Sequence, residues 1–289
     1  MTVAYLVFSH QYPDQLLRLL RTLREASADA PLISHHNGAL DPAPLAALGV
    51  ERVLPPTRVT WGGASQLLMM LRGMRHALER TDFDWLVLLS GQDYPLRPLH
   101  AIERDLETSG VDGFVEGVEV APGADDEFAR RYLYRYRRVR EPGRLVRRAL
   151  RAARPRVLMR DLPGSVLVGR RATPPLPVRR GSDWLTLSRR AVAAVTGVAP
   201  DVLDHFRRTI LPTEALPHSV LYADPTLRLS GDTRRYTRWA PGTPHPAVLG
   251  VADLEDMLAS GLDFARKFDV TVDARVLDEL DSVVRDRAR

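Results

Sequence analysis

FDWLVLLSGQDYP, residues 83–95, decides how this chain folds. The apolar run Trp85 to Leu89 is bounded by charge on one side and by Ser-Gly-Gln-Asp and a proline on the other. It is too short to span a bilayer and too unbroken for a half-solvated strand. It therefore predicts a central strand of a sheet covered on both faces. Open α/β sheets bind ligands just beyond the carboxyl ends of such strands. Asp93, the first carboxylate after the run, is then placed at the floor of a site, although these residues alone favour a turn former before Tyr94-Pro95.

Working outward, Val3 to Ser9 predicts a first strand followed by a Ser9-His10-Gln11 turn. Asp14 is placed to cap a helix to about Ala26, with Leu16, Leu20 and Leu23 on one stripe. Pro31 to Ser34 and Val50 to Leu54 are further strands, the first ending in a His35-His36-Asn37-Gly38 loop. The glycines of WGGAS precede a helix from about Ala64 that buries Leu67, Leu71, Met74 and Leu78. Leu99, Ile102 and Leu106 mark another helix, and Phe114 to Val120 one more strand. Strands alternating with helices predict an α/β fold with a mixed, mostly parallel sheet. No G-x-G-x-x-G or Walker A string is present, so neither a dinucleotide fold nor a P-loop is supported. Towards the C-terminus, GSDWLTLSRRAVAAV predicts turn, strand and helix. LPTEALPHSVL is a short helical turn bracketed by prolines, and VADLEDML a helix ending near Gly261 before a last strand.

The 289 residues suffice for one substantial core, and the absence of cysteine excludes disulfides and thiolate chemistry. The N-terminus lacks a basic leader and a cleavage site, and no apolar run reaches membrane length, which points to a cytoplasmic protein. Charge is unevenly spread. Seventeen of the 41 basic residues, all arginines, fall between 130 and 180, against only Glu141 and Asp161. That segment gives the chain its basic pI of about 9.8. Lys267 is the one lysine in the sequence.

Three carboxylates stand in apolar or aromatic company: Asp93, Asp183 beside Trp184, and Glu214 in LPTEALPHSV. Partial desolvation raises a carboxyl towards general-base range. Glu214 also fits as a helix-terminal acid favoured by the dipole. Arg266 and Lys267, between Phe264 and Phe268, suit a diphosphate clamp of fork and point charge, or form an ordinary helix-terminal basic pair. The histidines show no metal-ligand spacing.

Together these pieces resemble glycosyltransferase family 14, the core-2/I-branching β-1,6-N-acetylglucosaminyltransferases and peptide O-xylosyltransferases. The strings that carry the resemblance are WGGAS (61–65), SGQDYPLR (90–97), GSDW (181–184), PTEALPHSVL (212–221) and DFARKFD (263–269), in the family's order along the whole chain. The resemblance implies one GT-A domain with a nucleotide-binding half (1–120), an Arg-rich insertion (121–180) and an acceptor half (181–289). It implies inverting, metal-independent transfer of N-acetylglucosamine or xylose from a UDP-sugar, with no cofactor. Glu214 matches the catalytic base, and Arg266 and Lys267 the pair that neutralises the leaving diphosphate. Asp93, Ser9, His10, His35 and Asn37 match the donor side, the last standing where the family has aspartate. Asp183, Trp184 and Trp239 match the acceptor side. Without cysteine or an anchor, a bacterial cytoplasmic member is expected.

A reading from another class uses the arginines instead. Residues 130–180 carry enough charge to bind an anionic membrane surface or nucleic acid without catalysis. Its amphipathic stretch 144–153 is the element expected to dock on lipid while the enzyme acts.

Overall fold

The run at 85–89 forms the middle strand of a seven-stranded sheet in the computed structural model. The structure describes all residues except 57, 141–142, 146–147, 149–155, 161–164, 241, 244 and 286–289. In chain order the first strands are β1 (Val3–Ser9), β2 (Leu32–His36), β3 (Val50–Arg52), β4 (Trp85–Ser90), β5 (Asp93–Pro95), β6 (Gly113–Phe114) and β7 (Val118–Glu119). Then come β8 (Tyr134–Arg140), β9 (Arg156–Arg160), β10 (Ser165–Arg171), β11 (Arg179–Arg180), β12 (Thr186–Ser188), β13 (Leu229–Ser230), β14 (Arg235–Thr237) and β15 (Phe264–Arg266). The central order is β13-β6-β12-β4-β1-β2-β3. β3, β2, β1 and β4 run parallel, whereas β12 is antiparallel to both of its neighbours. The sheet is thus mixed and mostly parallel.

Alternation along β1 and β4 divides the core in two. Ala4, Leu6, Phe8, Leu86 and Leu88 face one cluster, with Leu67, Met70 and Met74 of the helix α3 (Ala64–Arg80), which follows the short α2 (Pro42–Ala47). Val3, Tyr5, Val7, Trp85, Val87 and Leu89 face the other, with Leu16, Leu20 and Leu23 of α1 (Pro13–Ala26) and the terminal helix Arg275–Arg285. Helices on both faces explain why β4 carries no polar residue before Ser90. This predicts that Leu88→Ala and Leu89→Ala, truncations on opposite faces, each cost about 2–5 kcal/mol. Urea unfolding checks it. A half-solvated strand would show the loss in only one of them.

Local chemistry moves several boundaries. Tyr12, not Asp14, is the N-cap of α1, with Pro13 at its first position and Asp14 inside its first turn. β2 continues to His36, so His35 and His36 belong to a strand end and not to a loop. Phe114 to Val120 breaks into β6 and β7 around Gly117, where a Cβ would sit 2.2 Å from the Tyr222 ring.

Much of the arginine-rich segment is sheet, with β8 and β9 flanking β10 antiparallel on either side. The expected helix at 144–153 falls mostly outside the described residues. Before that sheet, and after α4 (Leu99–Thr108), lies the short helix α5 (Glu127–Tyr132), capped by the Asp126 carboxylate on the Ala129 amide. Among the described residues no helix is long and apolar enough to cross a membrane.

Candidate functional site

Two of the motif strings meet as neighbouring strands. β5 pairs antiparallel with β15, and the register sets Asp93 opposite Arg266. Asp93 is fully buried. It accepts from the Ser90 amide and the Ser90 hydroxyl, both at 2.8 Å, and stands 3.4 Å from Arg266 Nε. The turn lies at Gly91-Gln92, ahead of Asp93, and Tyr94-Pro95 continue β5 where the sequence predicts a turn. The Asp93 side chain closes that earlier turn on Ser90 and faces Arg266. Gln15, buried on α1, locks the same corner. Its amide nitrogen donates to the carbonyls of Gly91 and Phe268, and its oxygen accepts from the Val270 amide. Arg266 and Lys267 are thereby held on a short strand and the loop after it, not at a helix end.

A second corner presents Glu214. Pro212–Glu214 is one 3-10 turn, entered through Leu211 at φ 51°, a left-handed conformation that costs a non-glycine residue about 1–2 kcal/mol. The Leu211 amide donates to the carbonyl of Gly62, itself at φ +70°, which ties the WGGAS loop to this turn. On the other side the Gly181 amide donates to the Glu214 carbonyl. Any Cβ at 181 would lie 2.6 Å from the His218 ring, so GSDW requires its glycine. His218 in turn spans the carbonyls of Glu116 and Ser182 at 2.6 and 3.0 Å, holding the segment between β6 and β7 to the 181–184 loop.

The two corners face each other across Asp183 and Trp184. Arg266 stacks on the Trp184 ring at 4.3 Å. Asp183 accepts from the Gln66 side chain at 3.2 Å, and desolvation raises its pKa against the Thr213 hydroxyl and the charge of Arg266. Glu214 Oε2 accepts from the Tyr132 hydroxyl at 2.8 Å and lies 3.7 Å from Arg131. Its side chain keeps 31% of its exposure. Desolvation, followed by the charge of Asp183, pushes the Glu214 carboxyl up to about 7, although Tyr132, Arg131 and Arg180 oppose the shift. The Thr213 hydroxyl lies beside the Asp183 carboxyl and holds its pKa down, and Arg266 Nε is turned to Asp93.

A family model described as Core-2/I-Branching enzyme matches residues 4–260. The chain belongs to this family. It is 28% identical over 254 residues to Xylosyltransferase 1 of Homo sapiens, covering 80% of this chain and 24% of that protein. Xylosyltransferase oxt of Drosophila melanogaster is 26% identical over 253 residues, covering 76% of this chain and 26% of its own length. The chain thus spans about a quarter of these relatives. Its mixed, mostly parallel sheet agrees with the GT-A arrangement that the motifs implied.

The remaining family positions divide between two places. Ser9 and His36 are register partners at the carboxyl ends of β1 and β2, and their side chains bond at 2.8 Å. His35 is buried against Phe8, and burial lowers its pKa. Asn37 makes a reciprocal amide pair with the backbone of Val59, and His10 stands exposed beside Gln11. Close by, Ser34, His36, Gly38 and Arg52 line a small cavity at the ends of β2 and β3. Trp239 is 57% exposed in the loop after β14. Trp61 of WGGAS is exposed as well and meets His245 of that same loop edge to face at 5.8 Å. Sequence reading missed Gln15, Tyr132, His36 and His218. Only His218 carried a signal, its place inside PTEALPHSVL.

Proposed function

We propose that the chain is an inverting, metal-independent glycosyltransferase that moves xylose or N-acetylglucosamine from a UDP-sugar to an acceptor hydroxyl. The observation that carries this reading is Glu214, whose partly desolvated carboxyl is held near neutrality beside Asp183, while Asp183 also faces Arg266. Family membership and the xylosyltransferase relatives support the reaction class.

In this reaction the acceptor oxygen attacks the anomeric carbon, Glu214 takes its proton, and the bond from that carbon to UDP breaks with inversion. Arg266 and Lys267 take up the charge that develops on the diphosphate, the role a metal held by Asp-x-Asp plays elsewhere. Residues 92–94 are Gln-Asp-Tyr, and Asp93 is engaged by Ser90 and Arg266. Asp93 accordingly orients Arg266 on the donor side. Ser9, His10, His35 and Asn37 border the nucleoside, and Asp183, Trp184 and Trp239 the acceptor side.

The anionic-surface reading draws less support. Arg131, Arg135 and Arg179 are spent on Glu214, Asp204 and Glu119, and Arg171 and Arg180 lie over aromatic rings of the protein itself.

The pH profile of transfer tests the reading. A base needs its carboxylate form, so in EDTA the rate falls as pH drops through about 7 and levels off above it. Proton NMR of the product should show the anomeric configuration inverted from that of the donor. Retention of configuration, or a rate flat from pH 5 to 8, would refute the proposal.

A further inference from the structure

Glu214 is not held by its own turn alone. The hydroxyl on its Oε2 belongs to Tyr132, the last residue of α5, and Arg131 of the same helix stands 3.7 Å away. Tyr132 is fully buried. The end of α5 is fastened through three successive carbonyls. The Tyr136 hydroxyl donates to Arg130 O at 2.6 Å, the Ile210 amide to Arg131 O at 3.1 Å, and the buried His205 Nε2 meets Tyr132 O at 3.0 Å. Phe128, one turn earlier, lies under the Arg180 guanidinium at 3.6 Å. A six-residue helix with this many outside ties does not move independently of what it touches. Among the described residues no donor bonds the other carboxylate oxygen, Oε1.

We propose that Tyr132 is the positioning residue of the base: its hydroxyl engages Oε2 of Glu214, which leaves Oε1 to take the acceptor proton. This rests on Glu214 being the base. The phenol does this as a permanent donor. Burial, with the charge of Glu214 added, pushes its own pKa well above the usual tyrosine range. The charged groups facing Glu214 are Arg131 from α5, Arg180 from β11 and Asp183 from the 181–184 loop. Of the groups that favour its ionised form, Tyr132 is the one in direct hydrogen-bond contact. The arginine-rich segment thereby gains a role its charge does not suggest, as the wall that aims the base.

The test is Tyr132→Phe, which deletes one oxygen and keeps the buried ring. It is compared with wild type and Glu214→Gln for transfer from UDP-xylose and UDP-N-acetylglucosamine across pH 5–9, with a thermal melt as the folding control. The acid limb of the Tyr132→Phe profile should move to higher pH, with kcat at pH 7 down by roughly 10-fold and KM for the donor unchanged. The carbon NMR signal of the 214 carboxyl, assigned by its absence from Glu214→Gln, should titrate at higher pH in Tyr132→Phe. An unmoved acid limb and an unmoved titration, in a folded variant, would overturn the positioning role. Should Glu214→Gln itself remain active, the base assignment fails instead, whatever Tyr132→Phe does.

Discussion

Glu214→Gln should lower kcat by roughly 10²-fold or more while leaving UDP affinity essentially unchanged, as expected when a positioned base is lost. The substitution is close to isosteric, and the Tyr132 hydroxyl can donate to the amide oxygen as it does to the carboxylate. What disappears is the proton acceptor and one negative charge. A stability readout accompanies the kinetic one. The folded-state pKa of Glu214 is raised above that of an unfolded chain, so stability is full below the ordinary carboxyl range and is lost as pH rises through about 7. Glutamine carries no such pH dependence. The melting temperature of the variant should therefore gain on wild type at pH 8 but not at pH 4. Substantial turnover by Glu214→Gln would reject the base assignment.

Removing the cations at 266 and 267 should weaken UDP binding sharply and uridine binding little, since only the diphosphate meets them. Hydrogen bonds to charged groups are worth about 1.5–3 kcal/mol, so each cation lost corresponds to roughly a 10- to 100-fold change in Kd. The two positions differ in what else they do. Arg266 lies beside the buried carboxylate of Asp93 and on Trp184, so Arg266→Ala also leaves Asp93 short of a counter-charge and lowers stability. Among the described residues no carboxylate stands within ion-pair distance of Lys267. Lys267→Ala should leave the fold intact and report on the diphosphate alone. Calorimetry with UDP and with uridine on each variant decides it, and equal losses for both ligands would remove the clamp.

Period and punctuation in the sequence were enough for the scaffold. An unbroken run at 85–89 forecast the doubly covered strand, and the 3.6-residue spacing of Leu16, Leu20 and Leu23 forecast the helix against it. What a linear reading lacks is the side-chain partner across the fold. Asp93 and Arg266 lie 173 positions apart, and only strand pairing makes them neighbours. The same holds for Tyr132 and Glu214, 82 positions apart. In a segment dense with arginine, Tyr132 looks like one of three alternating tyrosines, and nothing local marks it as the partner of the base. Gln15 is hidden in the same way, as a polar residue on a helix whose inward stripe reads as leucine. The strand that ends at His36, and not before His35, shows that a pair of histidines can be pleated into a sheet edge when Ser9 supplies a partner for the second.

The most direct test of the account is a calorimetric titration of the chain with UDP in EDTA, then with UDP-xylose and UDP-N-acetylglucosamine. UDP should bind tightly without metal and more weakly to Lys267→Ala, with the tighter sugar nucleotide identifying the donor. No binding in EDTA, or binding that appears only when a divalent cation is restored, would contradict it.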